Sequence, residues 1–346
     1  MDSRRKMAVK HVWTDIKLDF DDVLVSPSVT EVESRSQVKL EVQYGEELNH
    51  MVNIPVMASN MTATGTREMA LALAEQNAIT CLHKHHSMQE LREVYKELTP
   101  EQATNNVFVS IGMGDDDFLF YQKLSEDLGF APNVCIDVAN GYMVKFHQFC
   151  EKVATEAKEA VVMAGNVCTP EGVRRLSDHG VDIVKLGIGP GSACTTRIKT
   201  GIGYSQFSAI LECVQKNNNE NLKFCSDGGC RTPADLVKAF AAGANFVMLG
   251  GMLAGTDESD VERNEGGVVY HGMASRKAQE IHGGGLKEYR ASEGAEIKTS
   301  EKGQVSEVIK DIYGGLRSAC TYTGFPALEE LIKGNVQFTR VNKVHR

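Results

Sequence analysis

The segment most suited to chemistry is Gly187-Ile-Gly-Pro-Gly-Ser-Ala-Cys-Thr-Thr-Arg197. Three glycines and a proline force a constrained loop whose carbonyls and N–H groups turn inward. Cys194 ends the turn, flanked by Thr195, Thr196 and Arg197. A thiol near positive charge and open to a cleft favours the thiolate, which is the nucleophilic form. Most of the other cysteines read as small buried hydrophobes. Ser192 stands where a phosphate could be held. Two later motifs suit a phosphate cradle: Asp227-Gly228-Gly229 and Gly250-Gly251. Glycine lets backbone N–H groups approach phosphate oxygens. Asp227 would repel a phosphate, so its expected role is to accept hydrogen bonds from a ribose. Tyr289-Arg-Ala-Ser-Glu-Gly294 supplies Glu293, a candidate for proton transfer bracketed by Arg290 and Gly294.

These residues must be positioned by regular elements, and the sequence repeats one unit. Short apolar runs recur at 54–59, 79–83, 107–112, 134–139, 160–166, 182–188, 223–229 and 246–251. Their apolar residues are continuous rather than alternating, which predicts fully buried strands. Amphipathic stretches at 67–76, 88–98, 118–128, 144–158, 170–179, 207–216 and 233–242 fit helices between them. Thr169-Pro170 and Thr232-Pro233 are helix starts, with a cap followed by proline in the first turn. Strand–helix alternation implies parallel βαβ units, and eight strands predict a closed (β/α)8 TIM barrel. An open doubly wound sheet is the alternative. Several strands end in Gly, Asp, Ser or Asn, and in a barrel those ends line the active-site face.

The expected organisation is a single barrel domain over 1–346. Residues 1–53 precede the first barrel strand, covering the bottom of the barrel or reaching a neighbouring subunit. Residues 252–304 are long, polar and glycine-rich, and read as a flap. A helical pattern returns at 305–320, followed by a C-terminal tail.

Composition narrows the function. The chain has 346 residues and a net charge of −9, which disfavours nucleic-acid binding. Nine cysteines, odd in number and without CxxC or zinc spacing, predict reduced thiols. No apolar run is long enough to span a membrane, and the charged residues 1–10 lack a signal-peptide core. The expected location is the cytoplasm.

GIGPGSACTTR resembles the catalytic-cysteine loop shared by inosine monophosphate dehydrogenases and guanosine monophosphate reductases. The likeness covers nearly the whole chain. It includes LDFDDVLVSPS, HKHH at 83–86, CIDVANGY at 135–142, SDGGCRTPAD at 226–235, FVMLGGMLAG at 246–255 and HGMAS at 271–275. Three features resemble the reductase branch. HKHH carries Lys84, YRASEG carries Glu293 where the dehydrogenases have glutamine, and only residues 99–106 occupy the place of the dehydrogenases' usual regulatory insertion.

The resemblance implies reductive deamination of GMP to IMP and ammonia with NADPH, through a thioimidate between Cys194 and the purine. It implies Cys194, Thr196 and Glu293 as catalytic. It implies contact with GMP for Ser192, Asp227, Gly228, Gly229, Gly250, Gly251, Gly272, Met273, Ala274, Arg290, Ala291, Ser292, Glu293 and Gly294. It implies contact with NADPH for Lys84, Asp137, Val138, Ala139, Gly189, Met273, Ser318, Ala319, Cys320 and Thr321, with Ser34 and Arg35 reaching in from a neighbouring subunit of a homotetramer. Carbonyls of Gly189, Gly191 and Cys194, with Arg197, resemble a potassium site; a ring of carbonyls suits a hard cation. The chain departs from the reductases at Ala274, commonly serine, and at His86, usually tyrosine. Three other readings stay open: an IMP dehydrogenase, a nucleotide-binding regulator without turnover, and a flavin-binding phosphate barrel.

Overall fold

Continuous apolar runs bounded by glycine and proline produce short strands that bury both faces. In the computed structural model, which describes residues 12, 14–264, 267–282, 285, 287–289 and 291–342, eight of them close into a barrel. They are β1 (Val56–Ala58), β2 (Ile79–Leu82), β3 (Val107–Ile111), β4 (Val134–Asp137), β5 (Val162–Val167), β6 (Ile183–Leu186), β7 (Lys223–Asp227) and β8 (Phe246–Leu249). Neighbours in the chain are neighbours in the barrel, every pair is parallel, and β8 pairs with β1 to close it. The open-sheet alternative is thereby excluded.

Around the barrel run α1 (Arg67–Glu75), α2 (Met88–Glu97), α3 (Pro100–Asn105), α4 (Asp115–Leu128), α5 (Val144–Glu156), α6 (Pro170–Ser177), α7 (Thr196–Thr200), α8 (Gln206–Gln215), α9 (Pro233–Ala241), α10 (Arg276–His282), α11 (Val305–Thr323) and α12 (Leu328–Lys333). Each Thr-Pro pair caps its helix with proline in the first turn. The link at 99–106 holds only α3, capped by Thr99. Helix α4 starts at Asp115, earlier than apolar spacing predicts. Its first turn is Asp115–Asp117, and the Asp117 carboxylate accepts from the N–H groups of Gly112 and Gly114. Acidic residues suit a helix N-terminus but give no apolar signal.

The N-terminal extension covers the bottom of the barrel. Tyr44 stacks on Phe246 at the start of β8, with ring centroids 5.0 Å apart. Val52 N–H donates to Asn105 just before β3, and the Asn49 amide donates to the Glu159 carbonyl before β5. Residues Val23–Val25 pair antiparallel with Phe338–Arg340, which ties the two ends of the chain together.

The described residues of 252–304 hold more regular structure than a polar, glycine-rich segment suggests. They contain an antiparallel sheet of β9 (Glu262–Asn264), β10 (Gly267–His271) and β11 (Glu296–Thr299), with α10 between β10 and β11 in the chain. Val268, Val269 and Tyr270 are buried in it. Strands this short, separated by long polar connections, leave little periodicity to detect. Among the described residues no helix is long and apolar enough to cross a membrane.

Candidate active site

The loop after β6 carries Cys194 to the mouth of the barrel, where the flap meets it. Thr195 N–H donates to the Glu293 carbonyl at 2.9 Å, and Ala295 N–H donates to the Ala193 carbonyl at 2.9 Å. Gly272 and Gly294 sit against these strands so closely that a methyl group on either would lie within 2.6 Å of backbone. Backbone pairing therefore fixes the flap's position over the cysteine.

That pairing aligns three side chains. The Cys194 thiol donates to Thr196 Oγ1 at 3.2 Å, and the Thr196 hydroxyl donates to Glu293 Oε2 at 2.8 Å. The order thiol, hydroxyl, carboxylate forms a path for one proton. Cys194 is partly exposed, whereas Cys81, Cys135, Cys150, Cys168, Cys213, Cys225 and Cys320 are buried. Burial raises the thiols of Cys150 and Cys320, to about 12 and about 11 respectively.

Beside this relay lies a glycine-lined hollow. Gly228 adopts φ of +85°, and a Cβ there would stand 3.0 Å from the Gly191 backbone nitrogen. Only glycine allows the loops after β6 and β7 to approach so closely. Gly250 and Gly251 begin a turn whose Leu253 and Ala254 N–H groups donate back to the Gly250 carbonyl. The Lys302 ammonium caps that turn, donating to the carbonyls of Gly251 at 2.6 Å, Met252 at 3.1 Å and Ala254 at 2.6 Å. The Tyr270 hydroxyl and the Ser192 hydroxyl both face Gly251, at 2.7 and 3.9 Å from where its Cβ would lie.

The floor of the mouth is charged. Lys185, on β6, is 1% exposed and lies 2.6 Å from Asp137 and 3.3 Å from Asp227. Burial alone would lower the lysine and raise Asp137. Their pairing outweighs burial, so Lys185 stays well above and Asp137 below its ordinary value. Asn166 donates to Asp227 and to the Gly187 carbonyl at 2.8 Å each, and its own Oδ1 is buried without a partner among the described residues.

A family model described as "IMP dehydrogenase / GMP reductase domain" matches residues 17–345. The chain belongs to the IMP dehydrogenase/GMP reductase family. It is 44% identical to a GMP reductase of Yersinia enterocolitica over 335 residues, covering 94% of this chain and 95% of that one. It is also 44% identical to a GMP reductase of Serratia proteamaculans over 336 residues, with the same coverage. In fold it matches a GMP reductase variant from Trypanosoma brucei, solved in complex with guanosine 5'-monophosphate. There the TM-score is 0.81 and the identity 23%, over 95% of this chain and 96% of that one.

Against the family's expected site residues, the structure brings most of them to one mouth. Ser192, Cys194 and Thr196 follow β6; Asp227, Gly228 and Gly229 follow β7; Gly250 and Gly251 follow β8. Gly272, Met273 and Ala274 follow β10, and Ala291 to Gly294 precede β11. Arg290 lies outside the described residues. Lys84, Asp137, Val138 and Ala139 follow β2 and β4. Lys84 lines a cleft of about 580 Å³ with Ser110, Asp115 and Phe120 among its walls.

The remaining expected residues sit on α11, in an N-terminal turn and at Arg197. Ser318, Ala319, Cys320 and Thr321 lie near the end of α11, which starts at Val305 on the flap side and runs down the outside of the barrel. Thirteen residues of helix place Ser318 about 20 Å from that start, far from this chain's own mouth. Cys320 is fully buried in the core, so its thiol is unavailable to a cofactor. Ser34 and Arg35, exposed, belong to the short 3-10 turn beside the same helix. The Arg197 carbonyl accepts from Gly201 N–H, and its guanidinium reaches Asp19 and the Tyr204 carbonyl, so its side chain braces the loop.

Sequence reasoning missed Lys185, Tyr270 and Lys302. Lys185 did leave a signal, a single lysine inside an otherwise apolar strand. Tyr270 and Lys302 leave none, because their significance depends on the flap sheet.

Proposed function

We propose that this chain reduces GMP to IMP and ammonia with NADPH, as part of purine nucleotide interconversion. The observation that carries this reading is the continuous hydrogen-bonded path from Cys194 through Thr196 to Glu293. C2 of guanine is an amidine-like carbon open to a thiolate. As sulfur bonds to C2, the thiol proton passes through Thr196 to Glu293. Glu293 then returns a proton to the exocyclic amine, the C2–N bond breaks, and ammonia departs, leaving a thioimidate on Cys194. The cofactor supplies, when bound, the hydride that takes the place of sulfur on C2. The thiolate is released and regains its proton from the same path.

The glycine hollow with Ser192, Gly228, Gly229, Gly250, Gly251 and Tyr270 suits the phosphate of the nucleotide, and Asp227 the ribose hydroxyls. The unpartnered Asn166 Oδ1 beside Asp227 also suits a hydroxyl donor. Gly272, Met273, Ala274 and the segment from Ala291 to Gly294 would enclose the base. A dinucleotide would take the other side of the mouth, where Lys84 lines the cleft and Asp137, Val138 and Ala139 stand at the end of β4. Its far end would meet Ser34, Arg35, Ser318, Ala319 and Thr321 of a neighbouring subunit. An apolar groove of about 420 Å³ lined by Pro27, Val237, Ala319 and Tyr322 lies on that patch and suits an aromatic ring. A homotetramer supplies such a neighbour.

Potassium would be held by the carbonyls of Gly189, Gly191 and Cys194. The Gly189 and Cys194 carbonyls accept no hydrogen bond from the described residues, whereas Gly191 already accepts from Cys194 N–H. The nine free thiols suit a reducing compartment such as the cytoplasm.

The test is cofactor absorbance during incubation with GMP and NADPH in potassium buffer, with IMP and NAD+ as the parallel assay. NADPH loss matched by ammonia supports the reductase. NADH formation from IMP alone would make the chain a dehydrogenase lacking its insertion. Silence in both assays, with GMP binding by calorimetry, would leave a binding protein.

A further inference from the structure

A lysine buried at the centre of a barrel needs a reason, because an ammonium taken out of water costs several kcal/mol unless paired. Lys185 has two carboxylate partners, and they belong to different halves of the mouth. Asp137 ends β4, on the side of Lys84 and Ala139. Asp227 ends β7, on the side of the glycine hollow. The ammonium lies between them, 2.6 Å from one and 3.3 Å from the other, with Asn60 Oδ1 at 3.3 Å.

The surrounding backbone accommodates this side chain. A Cβ on Gly165, on the neighbouring strand β5, would stand 2.6 Å from both the Cβ and the carbonyl oxygen of Lys185, so β5 carries no side chain there. The sulfur atoms of the buried Cys81, Cys135 and Cys225 can offer an ammonium only weak hydrogen bonds. Asn166 completes the network by donating to the same Asp227 oxygen that faces Lys185. Two carboxylates this close to one another would repel without the lysine.

We propose that Lys185 is a positioning residue that sets the separation of Asp137 and Asp227, and so links the nucleotide and cofactor halves of the site. It touches neither ligand. This inference rests on the reductase reading above, in which Asp227 faces the GMP ribose and Asp137 the cofactor. The structure requires one further property: both acids depend on the same cation, so loss of that cation weakens both ligands together.

The experiment compares wild type, Lys185→Met, Lys185→Arg, Asp137→Asn and Asp227→Asn in the GMP- and NADPH-dependent assay, with melting temperature recorded for each. Wild-type turnover comes first. Its absence would defeat the reductase reading, not the lysine's role, and GMP and NADPH titrations by calorimetry would then replace KM. Lys185→Met is expected to raise KM for both GMP and NADPH about tenfold, equivalent to about 1.4 kcal/mol each. Its kcat at saturation should fall far less. Asp227→Asn should move mainly the GMP value and Asp137→Asn mainly the NADPH value. Lys185→Arg restores a cation that pairs with both acids and should recover both KM values. Should Lys185→Met not fold, Lys185→Arg and the two single asparagine variants still decide. Two results overturn the proposal. One is a folded Lys185→Met with both KM values unchanged, or with only one moved. The other is a split between the asparagine variants that fails to follow the two ligands.

Discussion

Cys194 and Glu293 are distant in sequence, yet one hydroxyl joins them, and this makes their roles separable by mutation. Cys194→Ala removes the nucleophile but none of the glycine hollow, so turnover should vanish while GMP binding by calorimetry persists. Wild-type-like activity in that variant would remove the cysteine from the chemistry. Glu293→Gln keeps the shape of the relay and its hydrogen bond from Thr196, but cannot take up the proton. Ammonia release should slow by about 10²- to 10⁴-fold, the usual range for a positioned acid–base group, and more than the hydride step. Stopped-flow traces with equal slowing of both steps would place Glu293 outside the relay. Cys194 and Glu293 were candidates in the sequence because they stood in glycine-rich surroundings, whereas Thr196 entered only through the family resemblance. Lys185 was not, since a lysine in a buried strand gains meaning only once the barrel brings Asp137 and Asp227 to its ammonium.

The flap and the HKHH loop are the elements whose behaviour follows least from pattern. Lys302 fastens the end of the flap to the turn after β8 through three carbonyls. Those three bonds hold the shape of the Gly250–Gly251 turn that borders the hollow. Lys302→Met should therefore raise KM for GMP about tenfold, the effect of losing one or two net hydrogen bonds to a charged group. A guanosine substrate lacking the phosphate should be insensitive to the change. In the HKHH loop, His83 stacks on His86 and His85 stacks on His282 of α10, each pair with centroids 3.8 Å apart. Burial lowers His83 to about 3, helped by His86 and His85, and lowers His85 to about 4, helped by His282 and Lys84. Asp117 opposes the shift at His85. A histidine depressed on folding binds its proton more readily when unfolded. Its stabilisation is therefore present above about pH 6.5 and is lost as pH falls toward the folded value. At pH 5 the loss from His83 is about 2 kcal/mol. His83→Phe should flatten the fall in melting temperature between pH 7 and 5, and an unchanged slope would count against the assignment. The eight strands and most helices were readable because continuous apolar runs recur with amphipathic stretches between them. The flap strands were not, because three to five residues between polar connections give no period to read.

At the scale of the whole molecule, the proposed cofactor contacts fall in two separate places on one copy. The mouth with Cys194, Lys84 and Asp137 lies at the C-terminal end of the strands. Ser318 and Thr321 lie about 20 Å down the outer helix α11, and Ser34 and Arg35 stand in the short turn beside it. In the proposed reading all four serve the mouth of a neighbouring subunit. Complementation decides this more sharply than affinity does. Cys194→Ala subunits have no nucleophile but keep Arg35. Arg35→Ala subunits keep the nucleophile and lose a contact to the cofactor, so their KM for NADPH should rise about tenfold. When the two are unfolded together and reassembled, some Arg35→Ala mouths gain a neighbour with intact Arg35. Turnover at low NADPH should then exceed the sum of the separate preparations. If each mouth used its own chain's Arg35, every mixed assembly would lack one residue or the other at every site. Mixing would then restore nothing, and the cofactor would have to be confined to a single subunit.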